Sequence, residues 1–173
     1  MQKQFNLIIS CPRFHENDAI AEISYLLLNI GDENAKGEHT NFPGLITAST
    51  NQDICEGIKK LRILIKNDPF LLRFVLKIVP IEIVTESTID KIAQIIAKFV
   101  DRISENETFR ITVKSRFSPL NTQELIKQVG GYINRKVNLT RPDKIVMIQI
   151  LGNITGLSLL KSEDILSKAE FDH

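Results

Sequence analysis

Two hydrophobic periods alternate along this chain, and the places where one gives way to the other outline its elements. Phe5 to Cys11 reads as a strand. Ile20, Ile23, Leu27 and Ile30 recur at helical spacing and predict a helix over 16–30 that Gly31 stops. Short strands are expected at 37–41 and 44–49, around Phe42-Pro43. Ile54, Ile58, Leu61 and Ile65 form the apolar stripe of a second helix from about Gln52 to Lys66, which Asp68-Pro69 ends. Leu71 to Ile81 predicts another strand. The first half therefore runs β-α-β-β-α-β.

The second half starts after Pro80. Ser87 can cap a helix that reaches Ile103, with Ile89, Ile92, Ile96, Phe99 and Ile103 turned inward. A strand follows over 107–117. Ser118-Pro119 opens the next helix, because proline fits the first helical position, and Leu125, Ile126, Val129 and Ile133 supply its core face. Ile145 to Leu151 is apolar apart from Gln149, which suits a strand buried on both faces. Gly152-Asn153 turns that strand into another, Ile154 to Leu160. Ser162 is expected to cap a short last helix carrying Ile165 and Leu166. This order predicts an α/β (α+β) protein: a ferredoxin-like domain over 1–80, a second α/β domain over 81–168 and a disordered tail over 169–173.

The strand over 107–117 carries the candidate chemistry. Alternate side chains share a face, so Arg110, Thr112, Lys114 and Arg116 lie together. Phe109, Ile111, Val113 and Phe117 lie on the other face, with Ser115 its one polar member. A row of permanent cations suits a polyanion, since Lys and Arg release counterions condensed on phosphates. The plainer reading is a solvated face, or cations that protect a sheet edge. Phe117, Tyr132 and Phe42 are the aromatic candidates for stacking, and core packing accounts for each of them equally well.

The net charge of +1 conceals a segregation. Lys59 to Lys77 holds six Lys and Arg against one Asp; Arg110 to Lys144 holds eight against two acids; the remainder sums to −10. Arg73 and Lys77 become binding candidates in the first segment. Arg135 and Lys136 are candidates in the second, although a helix C-terminus attracts cations without any ligand. The two segments make one basic surface only if they meet in space.

Composition narrows the field further. The chain has 173 residues, 43% hydrophobic and 25% charged, which is ordinary for a globular protein. No apolar run reaches the roughly 18 residues of a membrane span. Met1-Gln2-Lys3-Gln4 leads into a strand and does not resemble a signal peptide. With Cys11 and Cys55 alone, no disulfide framework is implied and a cytoplasmic protein is expected. Cys11, His15, His39 and Cys55 match no zinc spacing. Nothing marks an oxyanion site or an orienting acid beside Cys11 and His15. There is no P-loop, G-x-S-x-G or G-x-G-x-x-G. The expectation is a protein with no cofactor, no metal site and no catalysis. Gly130-Gly131 inside a predicted helix calls for a reason, either close helix–sheet packing or close approach of an RNA backbone.

Several stretches, in order and spacing, resemble a THUMP domain. They are Val79-Pro80-Ile81, Thr108-Phe109-Arg110-Ile111-Thr112-Val113, Val129-Gly130-Gly131-Tyr132-Ile133, Val137-Asn138-Leu139 with Pro142-Asp143, and Val146 and Ile148 on the following strand. The resemblance implies an RNA-binding module preceded by a ferredoxin-like domain. It implies binding to tRNA, near the acceptor stem and 3′ end. Because about a dozen residues follow Leu160, the chain is similar to small stand-alone THUMP adaptors of the tRNA cytidine N4-acetyltransferase. In that system the adaptor holds tRNA and a separate acetyltransferase subunit does the chemistry. Two departures touch the cation set: Ser115 separates Lys114 from Arg116, and Asn121-Thr122-Gln123 stands where the family often has an Arg. The alternatives are a partner of a different tRNA-modifying enzyme, or a regulatory or oligomerising ferredoxin-like module.

Overall fold

The computed structural model describes residues 4–172; Met1 to Lys3, on which the signal-peptide reading rests, and His173 lie outside the described residues. The chain divides into two compact units. One holds the chain up to Ile81 and again from Glu163 onward, and the other is Glu82–Ser162.

The first unit contains β1 (Leu7–Ser10), α1 (Glu16–Asn29), β2 (Lys36–His39), β3 (Leu45–Ser49), α2 (Ile54–Asn67) and β4 (Lys77–Pro80), with a C-terminal strand β10 (Leu166–Ser167). Its sheet has the order β10-β4-β1-β3-β2, and every pair is antiparallel. That is the ferredoxin-like arrangement with one short strand added at the β4 edge. Leu7, Ile9, Ile46, Ala48 and Ile78 of the sheet form one core with Ile23, Leu27, Ile58, Leu61 and Ile65 of the two helices. Asp53 starts α2 by accepting a hydrogen bond from the Glu56 N–H at 3.0 Å.

The strand expected over 71–81 is mostly absent. A 3-10 turn takes Pro69–Leu71, and the ladder begins only at Lys77. The Glu22 carboxylate on α1 accepts the N–H groups of Arg73, Phe74 and Val75, at 2.7 to 3.2 Å, so these donors are spent before the sheet can use them. The short last helix is also replaced: Ser162–Asp164 is a 3-10 turn, and Leu166 pairs with Ile78 as a strand. The tail over 169–173 is ordered as far as it is described, with a 3-10 turn over Lys168–Phe171. Arg62 holds it there, donating to both Glu170 carboxylate oxygens at 3.1 Å and to the carbonyls of Glu163 and Ile165 at 2.9 and 3.1 Å.

The second unit contains β5 (Ile83–Glu86), α3 (Ile89–Phe99), β6 (Thr108–Arg116), α4 (Thr122–Gly130), β7 (Lys136–Val137), β8 (Lys144–Leu151) and β9 (Ile154–Leu160). Its sheet has the order β5-β9-β8-β6-β7, with β6 parallel to both neighbours. Ile92, Ile96 and Phe99 of α3 and Leu125 and Val129 of α4 share a core with Phe109, Val146, Ile148, Ile150, Leu157 and Leu159. Both helices therefore cover one face of this sheet. Thr88, not Ser87, caps α3, accepting from the Lys91 N–H at 3.3 Å. Ser87 instead bonds Thr155 side chain to side chain at 2.7 Å. α4 begins at Thr122 rather than near Ser118, because Asn121 supplies the cap, accepting from the Glu124 N–H at 3.1 Å. Ile126, expected in the core, is partly exposed.

Candidate nucleic-acid interface

The face of the second sheet opposite its helices carries the cations. Strand β6 pairs with β8 from Phe109 to Arg116 but with β7 only at Thr108 and Phe109, so Arg110, Lys114 and Arg116 lie on a stretch with one ladder neighbour, where cations also suit an edge. Parallel register sets Arg110, Thr112, Lys114 and Arg116 beside Ile145, Met147, Gln149 and Leu151 of β8. Lys136 pairs with Thr108 and so joins the same face.

The cations differ in how they are held. Arg110 donates through Nε to Thr112 Oγ1 at 3.2 Å and through Nη1 to the Leu139 carbonyl at 3.0 Å. That second bond steadies the loop after β7. Asn138 Oδ1 organises the same loop by accepting the N–H groups of Thr140 and Arg141. The Asp143 carboxylate fastens the loop to the start of β6 through the Thr108 N–H and hydroxyl, at 2.8 and 3.1 Å. Lys114 and Lys136 are exposed. Arg116 is half-buried and donates to Gln149 Oε1 at 3.1 Å. Burial holds its guanidinium pKa below the usual value. Among the described residues no carboxylate forms an ion pair with Arg110, Lys114, Arg116 or Lys136. By contrast Lys144 is paired with Glu107 at 3.1 Å. A row of cations without internal counter-charge is available to an external anion.

The other candidates are held differently. Arg135 Nε and Nη1 donate to the carbonyls of Ile103 and Asn134, at 2.9 and 2.8 Å, so its guanidinium secures the chain locally. Arg73 and Lys77 belong to the other unit. Arg73 lies over the Phe74 ring, 5.6 Å from its centroid, and Lys77 is exposed on β4. The first basic segment is partly neutralised, since Lys59 pairs with Glu56 and Arg62 with Glu170.

The aromatic candidates are not core residues. Phe117 is 82% exposed with φ +51°, and Tyr132 is 51% exposed. Phe117 therefore leaves the apolar face that strand alternation assigned to it. Phe14, 94% exposed in the β1–α1 loop of the first unit, was given no role by the hydrophobic pattern. Its neighbours Pro12 and Arg13 mark a loop, but nothing in the sequence marks its backbone conformation.

Close packing does not account for Gly130-Gly131. A Cβ at Gly130 would meet Ile111 Cδ1 at 3.9 Å, and one at Gly131 the Gln128 carbonyl at 3.4 Å, both ordinary contacts. The pair ends α4 beside an open groove of about 500 Å³ lined by Glu124, Lys127, Gln128, Gly131 and Tyr132.

The hypothetical nucleophile is disfavoured: burial, assisted by the Glu16 carboxylate, pushes the Cys11 thiol up to about 11. His15 Nδ1 is bonded to Asp18 at 2.9 Å, an acid beside the imidazole that the sequence reading did not mark. Among the described residues no three His, Cys, Asp or Glu side chains gather as a metal site, and no helix is long and apolar enough to cross a membrane.

Comparison with known proteins agrees with this architecture. The model of the THUMP domain matches residues 86–160. A probable tRNA sulfurtransferase of Staphylococcus aureus is 35% identical over 72 residues, covering 38% of this chain and 18% of that protein. The crystal structure of a Pyrococcus horikoshii protein superposes with a TM-score of 0.66 at 19% identity, over 91% of this chain and 55% of that one. A 4-thiouridine synthetase solved as an RNA complex with bound ATP superposes with a TM-score of 0.58 at 10% identity, over 95% and 42%. At these identities the two structures share the fold. The chain spans about half the length of these structural relatives, or less, and under a fifth of the sulfurtransferase. The stretch that matches the THUMP domain, residues 86–160, contains β6 and its cations.

Proposed function

We propose that this chain is a non-catalytic tRNA-binding adaptor that presents tRNA to a separate modifying enzyme, the cytidine N4-acetyltransferase by family resemblance. The observation that carries the reading is the row Arg110, Lys114 and Arg116, with Lys136 beside it, on a THUMP domain and without internal counter-ions. Alternate strand residues lie about 6.6 Å apart, a spacing at which successive cations can meet phosphates along one RNA backbone. Such contacts fix position rather than sequence, so recognition is of duplex shape and charge. Lys114 and Lys136, exposed, make the phosphate contacts most readily. Arg110 and Arg116 offer only the N–H groups not already given to Leu139 and Gln149. The setting is the cytoplasm, and the partner is a second protein subunit that carries the chemistry.

The test is tRNA affinity measured over a salt series. Each cation that meets a phosphate lowers the salt slope by about one unit when it is replaced by Ala. The triple change Arg110→Ala, Lys114→Ala, Arg116→Ala is expected to weaken tRNA and unrelated duplex RNA alike. An unchanged affinity and slope in a folded variant would leave the row as a solvated face. The purified chain, incubated with unmodified tRNA, acetyl-CoA and ATP, is expected to yield no modified nucleoside alone and to stimulate the acetyltransferase when that subunit is added. The similarity to a tRNA sulfurtransferase favours a second reading, service to a different tRNA-modifying enzyme. Identifying the protein that co-purifies with this chain separates the two.

A further inference from the structure

Phe14 combines two costs that a sequence does not normally keep. Its ring is 94% exposed, and its backbone sits at φ +72°, in the left-handed region that a bulky side chain rarely adopts. Such strain persists only where the surroundings fix it, and its usual home is a functional site. Here the surroundings do fix it. Glu16 Oε1 accepts the N–H groups of Phe14 and Gly44, at 3.3 and 2.9 Å, and so joins the β1–α1 loop to the β2–β3 loop. The Cys11 N–H donates to the Gly44 carbonyl at 2.9 Å. Gly44 itself has φ +74°, and a Cβ there would lie 2.9 Å from the Cys11 carbonyl oxygen, so the approach of the two loops requires glycine. Thr40 Oγ1 closes the second loop by donating to the Leu45 carbonyl at 2.7 Å and accepting the Phe42 N–H at 3.1 Å.

The two tied loops frame a cavity of about 320 Å³ lined by Arg13, Phe14, His39, Asn41 and Phe42 among others. Two aromatic residues thus line one opening. Arg13 is exposed and has no ion pair among the described residues. The acid in the lining, Glu16, is turned to the two backbone amides. The bonds it receives, from Gly44 foremost, hold its pKa below the usual carboxylate range. His39 Nε2 is fixed against Asn17 Oδ1 at 2.6 Å.

We propose that this cavity is a stacking subsite for an unpaired RNA base, with Phe14 as the platform, Phe42 as the second wall and Arg13 as the contact to the adjoining phosphate. Every base offers a π-face, so a preset aromatic binds single-stranded RNA with little regard to sequence. The inference rests on the RNA-binding reading above and adds a single-stranded element to it, in the unit that carries no THUMP match.

The experiment uses the full chain and two RNA probes: a blunt hairpin, and the same hairpin with a short single-stranded extension containing 2-aminopurine. The wild type is expected to bind the extended hairpin more tightly and to quench the 2-aminopurine. Phe14→Leu, apolar but not aromatic, is expected to lose about 5- to 150-fold in affinity for the extended hairpin together with the quench, and to keep its affinity for the blunt one. Phe14→Tyr is expected to retain both. If Phe14→Leu binds the extended hairpin like the wild type, or weakens both hairpins equally, the subsite is overturned while RNA binding stands. If the wild type binds neither hairpin, the subsite and the RNA-binding reading fall together.

Discussion

Asp32 is 2% exposed, and its carboxylate organises the exit from α1. It accepts the Thr50 hydroxyl and the N–H groups of Asn51 and Asn34, the latter two at 2.9 and 3.0 Å. Burial alone would raise its pKa, but the hydrogen bonds from Thr50, Asn51, Asn34 and Ala35 outweigh burial and hold the carboxyl below its ordinary value. A carboxylate depressed in the folded state stabilises the fold above its unfolded pKa, and that stability is lost as pH falls through the folded value. Asp32→Ala is therefore expected to cost about 1–3 kcal/mol at neutral pH, the penalty for stranding buried donors. The gap between variant and wild type should shrink below about pH 4, where the unfolded carboxyl begins to take a proton. Urea unfolding of both proteins at pH 7 and pH 3 checks this, and a pH-independent gap would refute the carboxylate's role. Such residues are hard to read in advance. Asp32 looks like any turn acid after Gly31, and Phe14 looks like any loop aromatic. The properties that matter, four convergent donors in one case and a left-handed backbone in the other, belong to tertiary structure.

At the scale of elements, legibility followed length and period. Strand β6 was visible because Thr108 to Lys114 alternate polar and apolar, with Ser115 the one departure, and its two faces emerged as the alternation assigned them until Phe117. Helices α1, α2 and α3 were visible through stripes that became the two cores. Strands β5 and β10 were not: β10 has two residues, too few for a period, and Ile83-Val84-Thr85-Glu86 runs apolar, apolar, polar, polar without alternating. The over-long strand at 71–81 failed for a different reason: a distant carboxylate, Glu22, took its N–H groups, and no local pattern records that. The glycine pair of α4 shows how the packing explanation can be tested. Gly130 does not have positive φ, and its missing Cβ would fit in ordinary contact. Gly130→Ala is expected to stabilise the protein by up to about 1 kcal/mol, the helix-propensity difference, as read by chemical denaturation. A destabilised variant would mean that α4 and β6 are too close for a methyl group and would restore close packing as the reason for the glycine.

The whole molecule is less sequential than its hydrophobic pattern suggests. The first unit is completed only when the chain returns at Glu163, after the entire second unit has been made. The returning segment is well secured. Leu166 is fully buried in the first core, Leu166 and Ser167 pair with Ile78 and Lys77, and the Lys168 N–H donates to the Leu76 carbonyl at 2.8 Å. Arg62 adds four hydrogen bonds from α2. Local periodicity could not announce this, since a two-residue strand finds its partner roughly ninety positions earlier in the chain, at the loop-closure cost of any such contact. The arrangement carries a thermodynamic consequence. Leu166→Ala removes a buried side chain from the first core alone and is expected to cost about 2–5 kcal/mol there. Hydrogen exchange should then show faster opening of amides in β1, β3 and β4, while those of β6 and β8 keep their protection. Arg62→Ala should act in the same direction and more weakly, since its partners sit nearer solvent. If the amides of β6 and β8 lose protection equally, the two units open as one cooperative body, and a ligand held on the cations of β6 would then stabilise the ferredoxin-like half as much as its own.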